Sequence, residues 1–333
     1  MTSKISTLFS RIRYYRKLSQ ELQQQLANKP DDWSKFQEIF NISVDRVYHD
    51  ILEFEKENAQ QSESKVFKLK KIFEKRYKRY FLYGEFIKWS LEKPLGYAGD
   101  FKIIDDIYQN RPCTTGFDRL WDNWFQQLAA PKAVRERKED FKKIILDFVK
   151  KRGDKNIRIM NLASGSAREI KELLETDTEY LFSKVIFDCY DSDTRTLDYA
   201  KQLLNNSSNV NFSQKNAIRL ALKKDIESEV RYKYDLIYSS GLFDYLDEKV
   251  AVRLVNNLKK LMRHDGIMVI SNARDKYSNS SAGWMEWVVD WYLIYRTEDE
   301  FKKIFLDAGI SANNLQIRPQ QSRVMQYGLV KNE

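Results

Sequence analysis

The chain has 333 residues, 42% of them hydrophobic, with 19 Tyr, 19 Phe and 7 Trp, which excludes wholesale disorder and leaves room for two structural units or one domain with a large addition. Two cysteines (Cys113, Cys189) cannot by themselves form a disulfide framework or a four-ligand metal cluster, and only two histidines (His49, His264) argue against His-rich metal sites and Ser-His-Asp hydrolysis, so no metal is expected. No apolar run approaches the roughly 20 residues that cross a bilayer and the start lacks a signal-peptide pattern, so a cytoplasmic protein is expected.

The net charge of +9 lies mostly in residues 1–150, which carry 29 Lys+Arg against 22 Asp+Glu. Residues 1–93 read as helices. Pro30-Asp31-Asp32 breaks the first from the second, and Asp45–Glu57 places Val47, Ile51, Leu52 and Phe54 at helical spacing. The stretch Lys65–Arg79 holds eight Lys+Arg and one acid. A solvated face explains it; nucleic acid, an anionic membrane surface or an acidic carrier protein are the sharper readings. The loop Pro94–Asp100 carries Gly96 and Gly99 and interrupts the helices. Helices are predicted near Asp100–Tyr108, Phe117–Leu128 and Pro131–Lys151, the last closed by Gly153.

From Ile157 the rhythm changes. Strands are predicted at Ile157–Leu162, Val185–Tyr190, Val210–Phe212, Tyr234–Ser239 and Ile267–Ser271. Helices lie between them at Ala167–Leu174, Thr194–Leu204 and Glu248–Met262, with Gly266 as the last one's stop. A helix near Glu298–Ala308 and strands at Leu315–Arg318 and Val324–Val330 complete the chain, the strands suiting a terminal antiparallel hairpin. The expectation is an α/β fold, a doubly wound and mostly parallel sheet in residues 131–333, preceded by an all-helical domain in residues 1–130.

In such a sheet ligands bind outside the carboxyl ends of the strands. The first strand is followed by Asn161-Leu162-Ala163-Ser164-Gly165-Ser166-Ala167, small residues that let backbone approach a ligand. The second is followed by Asp191-Ser192-Asp193, the third by Lys215-Asn216-Ala217 and the fourth by Ser239-Ser240-Gly241. An acid after the second strand suits two ribose hydroxyls, and Asn216 suits an adenine edge. The loop lacks Gly-x-Gly-x-x-Gly, and no phosphate loop is present, so a nucleoside without pyrophosphate fits better than a dinucleotide.

IRIMNLASGSAREI, VIFDCYDSDTRTLDYA and YDLIYSSGLFDYLDEKVAVRLVNNLKKLMRHDGIMVISNA resemble the class I S-adenosylmethionine-dependent methyltransferases. PLGYAGDF and GWMEWVVDWYLIYRTEDEF narrow the resemblance to a bacterial subfamily named for extracellular-factor 3-hydroxypalmitate methyl ester biosynthesis. It covers residues 94–330. It implies a Rossmann-like fold with S-adenosyl-L-methionine as cofactor. Asp191 and Ser192 would hold the ribose, and Asn216 and Ala217 the adenine side. Asn161, Ala163, Ser164 and Gly165 would lie against the methionine part, with Ser239 beside the transferred group. Tyr97 and Asp100 would reach over the cofactor from a helical lid. The chain departs from the family pattern in having Asn161 where an acid is usual and Ala163 and Ala167 in place of glycines.

Tyr97, Ser239 and Ser240 are the candidate catalytic residues. Trp284, Trp287, Tyr292 and Arg296 are candidates for a substrate site, with core packing the alternative for the tryptophans. Arg137 can serve the cofactor carboxylate or be a solvated surface charge. With no evident base, the expected reaction is O-methylation of a carboxylate, ionised at neutral pH. The expected substrate is a fatty-acid-like or secondary-metabolite acid, delivered free or on an acidic acyl carrier protein. No nucleic-acid partner is expected. Two alternatives stand beside this: a cyclase forming azetidine-2-carboxylate and methylthioadenosine from the cofactor, kept open by Asn161, and a non-catalytic binding protein.

Overall fold

The computed structural model describes residues 2–59, 62–153 and 155–332, with backbone alone for residues 2 and 3. The chain opens with α1 (Thr2–Asn28), α2 (Gln37–Asn58), α3 (Glu63–Arg76), α4 (Glu85–Glu92), α5 (Phe101–Gln109), α6 (Gly116–Gln127) and α7 (Ala129–Arg152). Then come β1 (Ile157–Leu162), α8 (Arg168–Glu175), β2 (Val185–Asp191), α9 (Thr194–Leu203), β3 (Val210–Gln214), α10 (Ala217–Leu222), β4 (Tyr234–Ser239) and α11 (Glu248–Lys260). The chain ends with β5 (Met262–Ala273), α12 (Ala282–Trp287), α13 (Glu298–Asp307), β6 (Leu315–Pro319) and β7 (Met325–Lys331).

Two compact units result. One comprises Met1–Lys132 with Lys276–Tyr292, the other Ala133–Asp275 with Leu293–Glu333. This corrects the expected division in one respect: residues 276–292 are not part of the α/β domain. They pack with the helical unit because their large rings find partners there. Trp284 stands edge-on to Trp124 and Phe125, with ring centroids 6.1 and 5.4 Å away. Trp287 meets Phe73 at 5.8 Å. Lys276 adds ion pairs to Glu55 of α2 (2.5 Å) and Glu286 of α12 (2.6 Å). A helix of six residues has little stability alone, so burial of Trp284 and Trp287 fixes it.

The second unit is built on a seven-stranded sheet of order β3-β2-β1-β4-β5-β7-β6. β1 to β5 run parallel, and β7 pairs antiparallel with both β5 and β6, as the terminal hairpin predicts. Strand residues alternate between two cores. Met160, Leu162 and Ile237 join Leu254, Leu258, Phe301 and Phe305 on one face. Ile159, Leu236 and Tyr238 join Phe141, Ile145, Ile170 and Ala200 on the other. Helix starts are capped by side chains the sequence supplies: Asp193 for α9, Asp247 for α11, and a Thr297/Glu300 capping box for α13.

Gly266 is not a helix stop. α11 ends at Lys260 and β5 is under way by Met262. A Cβ at 266 would lie 2.8 Å from the Arg263 carbonyl oxygen and 3.1 Å from that of Tyr234. The register of β4 on β5 shifts between Tyr234 and Leu236, and glycine permits the close approach there.

Candidate functional site

The strand order reverses between β1 and β4, so the chain leaves these neighbours in opposite directions and a crevice forms at their carboxyl ends. The loop after β1 turns through three left-handed residues, Ala163 (φ 56°), Gly165 (φ 54°) and Ala167 (φ 51°). For the two alanines this conformation costs roughly 1–2 kcal/mol each. Ser164 N donates to the Tyr190 carbonyl (3.1 Å) and Gly165 N to Asp191 Oδ2 (3.1 Å), so the turn is held against the end of β2.

Asp191 is the charged centre of this loop system. Its Oδ1 accepts from Asp193 N (3.1 Å). Burial pushes its carboxyl above the usual carboxylate range, against the pull of the Asp193, Gly165 and Ser192 amides. The Ser164 and Ser166 hydroxyls are buried and have no hydrogen-bond partner among the described residues. Nothing lies within 4 Å of where a Gly165 side chain would begin. Unmet hydroxyls, open space and a half-buried carboxylate are what a polar ligand at this turn requires. Ser192 is exposed, and its carbonyl accepts from Gln214 Nε2 (3.0 Å). Asn216 is exposed and caps α10, its Oδ1 accepting from Arg219 N (3.0 Å), and Ala217 behind it is buried.

Asn161 is buried one residue before the end of β1, and its Nδ2 donates to Glu169 Oε1 (2.9 Å). The same oxygen accepts from the Tyr238 hydroxyl (2.8 Å). Burial raises the Glu169 carboxyl, with the Tyr238 and Asn161 contacts pulling the other way. Sequence reading misses Glu169, because an acid in the first turn of a helix ordinarily faces solvent and complements the helix dipole.

At and around the end of β4 three readings are corrected. Ser239 is fully buried and its Oγ donates to the Leu162 carbonyl (2.8 Å), so it ties β4 to β1 and is unavailable to a substrate. Ser240, next to it, is partly exposed. Arg296 is not placed to meet a substrate: its guanidinium is buried and donates to the carbonyls of Phe243 (2.7 Å) and Leu246 and to Asn272 Oδ1 (3.0 Å). Nor is Arg137 a solvated charge. It is 4% exposed and lies against Gly241, where a side chain would begin 3.0 Å from Nη1. Its Nη1 stands 3.9 Å from Asp244 Oδ2. Asp244, buried, also accepts from Asn272 Nδ2 (2.7 Å) and Ala273 N (2.6 Å). Burial raises its carboxyl, and Arg137 opposes that most strongly.

The remaining candidates belong to the helical unit. Tyr97 is 40% exposed in the loop before α5. Asp100 is 1% exposed and caps α5, with Oδ1 accepting from Lys102 N and Ile103 N and Oδ2 from Trp89 Nε1 at 2.9 Å. These bonds make it a helix cap rather than a cofactor ligand. Trp284 and Trp287 are each 1% exposed and form core rather than a cavity wall. Tyr292 is half exposed beside Lys70, which pairs with its hydroxyl. Among the described residues no group of His, Cys, Asp and Glu is arranged to hold a metal, and no helix is long and apolar enough to cross a membrane.

No curated protein matches the sequence. Among solved structures, a Bordetella parapertussis protein described as a possible exported protein aligns with a TM-score of 0.57 at 17% identity, over 74% of this chain and 86% of that one. That likeness shows the fold. An O-methyltransferase family protein from Burkholderia thailandensis gives 0.42 at 13% identity, over 62% and 61% of the two chains. Magnesium protoporphyrin IX methyltransferase from Synechocystis PCC 6803, solved with bound SAH, gives 0.44 at 11%, over 61% and 87%. A family model described as "Putative methyltransferase" matches residues 55–276, two thirds of the chain. By that match the chain belongs to this methyltransferase family.

Proposed function

We propose that this protein is a class I S-adenosylmethionine-dependent methyltransferase that O-methylates the carboxylate of a fatty-acid-like or secondary-metabolite small acid. The observation that carries the cofactor reading is the turn after β1, where a half-buried Asp191 faces left-handed backbone beside two buried hydroxyls without partners among the described residues. In this reading Asp191 accepts the ribose hydroxyls, a role for which an ionised, acceptor-only carboxylate is suited. Ser164 and Ser166 supply hydroxyls to the methionine part, Asn161 faces its amine, and Asn216 stands on the adenine side. When bound, the cofactor supplies a methyl group already activated by its sulfonium.

The acceptor reading rests on what the chain itself must do. A carboxylate is ionised near neutrality, so its methylation calls for alignment and exclusion of water rather than a general base. Ser240, partly exposed after β4, is the candidate contact for the acceptor. Arg137 is the candidate cation for the cofactor carboxylate. The exposed Lys65, Lys68, Lys75 and Arg76 of α3 have no ion-pair partner among the described residues and suit an acidic carrier protein.

The test is mass spectrometry of the protein with S-adenosylmethionine alone, then with a panel of hydroxy fatty acids. S-adenosylhomocysteine formed only with an acid, together with its methyl ester, is the expected result. Methylthioadenosine and an azetidine amino acid formed without acceptor would make the protein a cyclase. Transfer to amines and to no carboxylic acid would overturn the acceptor class. Absence of any cofactor binding would make it a non-catalytic relative.

A further inference from the structure

We infer that Glu169 is a positioning residue for the amino-acid end of the cofactor, turning Asn161 into the acceptor that receives a protonated amine. The inference rests on the cofactor reading above and gives a role to Glu169 and Tyr238, which the sequence reading does not name. Asn161 on β1, Glu169 on α8 and Tyr238 on β4 are all buried, at 1%, 7% and 1% exposure. One oxygen, Glu169 Oε1, accepts from both Asn161 Nδ2 (2.9 Å) and Tyr238 Oη (2.8 Å).

The physics of an amide then decides the rest. An ionised carboxylate only accepts, so Asn161 must turn its NH2 group toward Glu169. Its single carbonyl oxygen is left for whatever the β1 loop binds. Without Glu169 the amide could lie either way, offering a ligand a donor as readily as an acceptor. An ammonium bound at that oxygen and the ionised Glu169 carboxylate one hydrogen bond behind it stabilise each other in a buried setting where charge is weakly screened, which opposes the burial that raises the carboxyl. An ammonium group is favoured there and a neutral amine is not. The acid missing at position 161 is thereby supplied from position 169. A consequence follows for the reaction: an amine kept protonated has no lone pair with which to attack the cofactor's own carbon, so the arrangement favours transfer over cyclisation.

The experiment is calorimetric titration of the full chain with S-adenosylhomocysteine and with methylthioadenosine, which lacks the amino-acid part. For Glu169→Gln we expect S-adenosylhomocysteine to bind about tenfold or more weakly, the loss of one charge-assisted contact, with methylthioadenosine within about twofold of wild type. Asn161→Ala should show the same selective loss and carries the comparison if Glu169→Gln does not fold. The double variant should lose little beyond either single one, since the two residues act in series. A structural role alone would weaken both ligands together. That result, or unchanged binding of both, or additive losses, overturns the inference. If wild type binds neither ligand, the cofactor reading itself falls and this inference with it. If wild type binds both and Glu169→Gln is indifferent, only the inference falls.

Discussion

The two units bury their polar groups for different ends. In the helical unit buried polar side chains fasten segments together: Asp100 caps α5 and takes the Trp89 indole, and Lys276 joins Glu55 to Glu286. In the α/β unit they gather at the carboxyl ends of the strands. Some, such as Arg296 and Ser239, are spent on carbonyls, while the Ser164 and Ser166 hydroxyls have no partner. The cores differ too. The helical unit is filled by rings meeting edge to face, such as Phe40 on Trp121 and Trp121 on Trp124. The α/β unit is filled mainly by aliphatic side chains on both faces of a sheet. Unmatched buried atoms also occur in the helical unit, on Ser43, Tyr48, Trp121 and Trp284, so what marks the ligand site is the coincidence of unmatched hydroxyls with a left-handed turn and the open space at Gly165.

The largest effect is expected where the helical unit depends on residues distant in sequence. Trp284→Ala removes a ring packed on Trp124 and Phe125 and should cost about 3–5 kcal/mol, read by denaturant unfolding followed by tryptophan fluorescence. A loss under about 1 kcal/mol would mean that residues 276–292 are not anchored by this ring.

Next comes the unmatched end of the α/β unit. Asp191→Asn should weaken S-adenosylhomocysteine and methylthioadenosine alike, about a hundredfold, since both carry the ribose. That contrasts with the selective loss expected at Glu169. The pH dependence has a definite sign. Burial holds the Asp191 carboxyl above the usual range, and only the ionised form accepts two hydroxyls. Affinity for either ligand should therefore be full at neutral pH and fall on acidification, beginning above the pH of about 4 at which an ordinary aspartate protonates. Titration of wild type at several pH values checks this, and an affinity that rises on acidification would break the assignment.

Lys276→Met tests the matched polarity of the helical unit. It leaves Glu55 and Glu286, 12% and 11% exposed in their side chains, facing each other without their cation. With the site partly open to water the cost should be about 2 kcal/mol, below the figure for a sealed pair. Burial raises the Glu286 carboxyl, so it takes up a proton early on acidification. The destabilisation relative to wild type should shrink as pH falls. A penalty that grows on acidification would show that the loss lies in packing rather than charge.

Much of this division is legible in sequence, for reasons particular to each residue. Asp191 stands out because a strand pattern ends just before it and a helix begins three residues later. The parallel sheet is legible because apolar runs alternate with helical stretches along the chain. Arg137 is not, since in PKAVRERKED it is one charge among several and its buried bed comes from Gly241, Asp244 and Met325, more than a hundred residues away. The aromatic run 284–295 suits a cavity wall or a core equally. Which it becomes is decided by Trp124 and Phe125 for Trp284 and by Phe73 for Trp287. Glu169 is hidden because its partners lie on two strands, one of them 69 residues on.

The smallest effect sharpens the comparison from the opposite side, by testing a contact that is wholly local. Thr297 opens α13 just after Arg296; its hydroxyl accepts from Glu300 N while the Glu300 carboxylate accepts from Thr297 N (2.7 Å). Thr297→Ala removes one half of this reciprocal pair and should cost about 1 kcal/mol, seen as a small shift in the unfolding midpoint. Affinity for S-adenosylhomocysteine should not change, because the cap is exposed and touches none of the groups at the ends of β1, β2 or β4. A matched polar pair of this kind contributes to folding alone. If its loss altered ligand affinity, the start of α13 would have to be counted among the segments that shape the site.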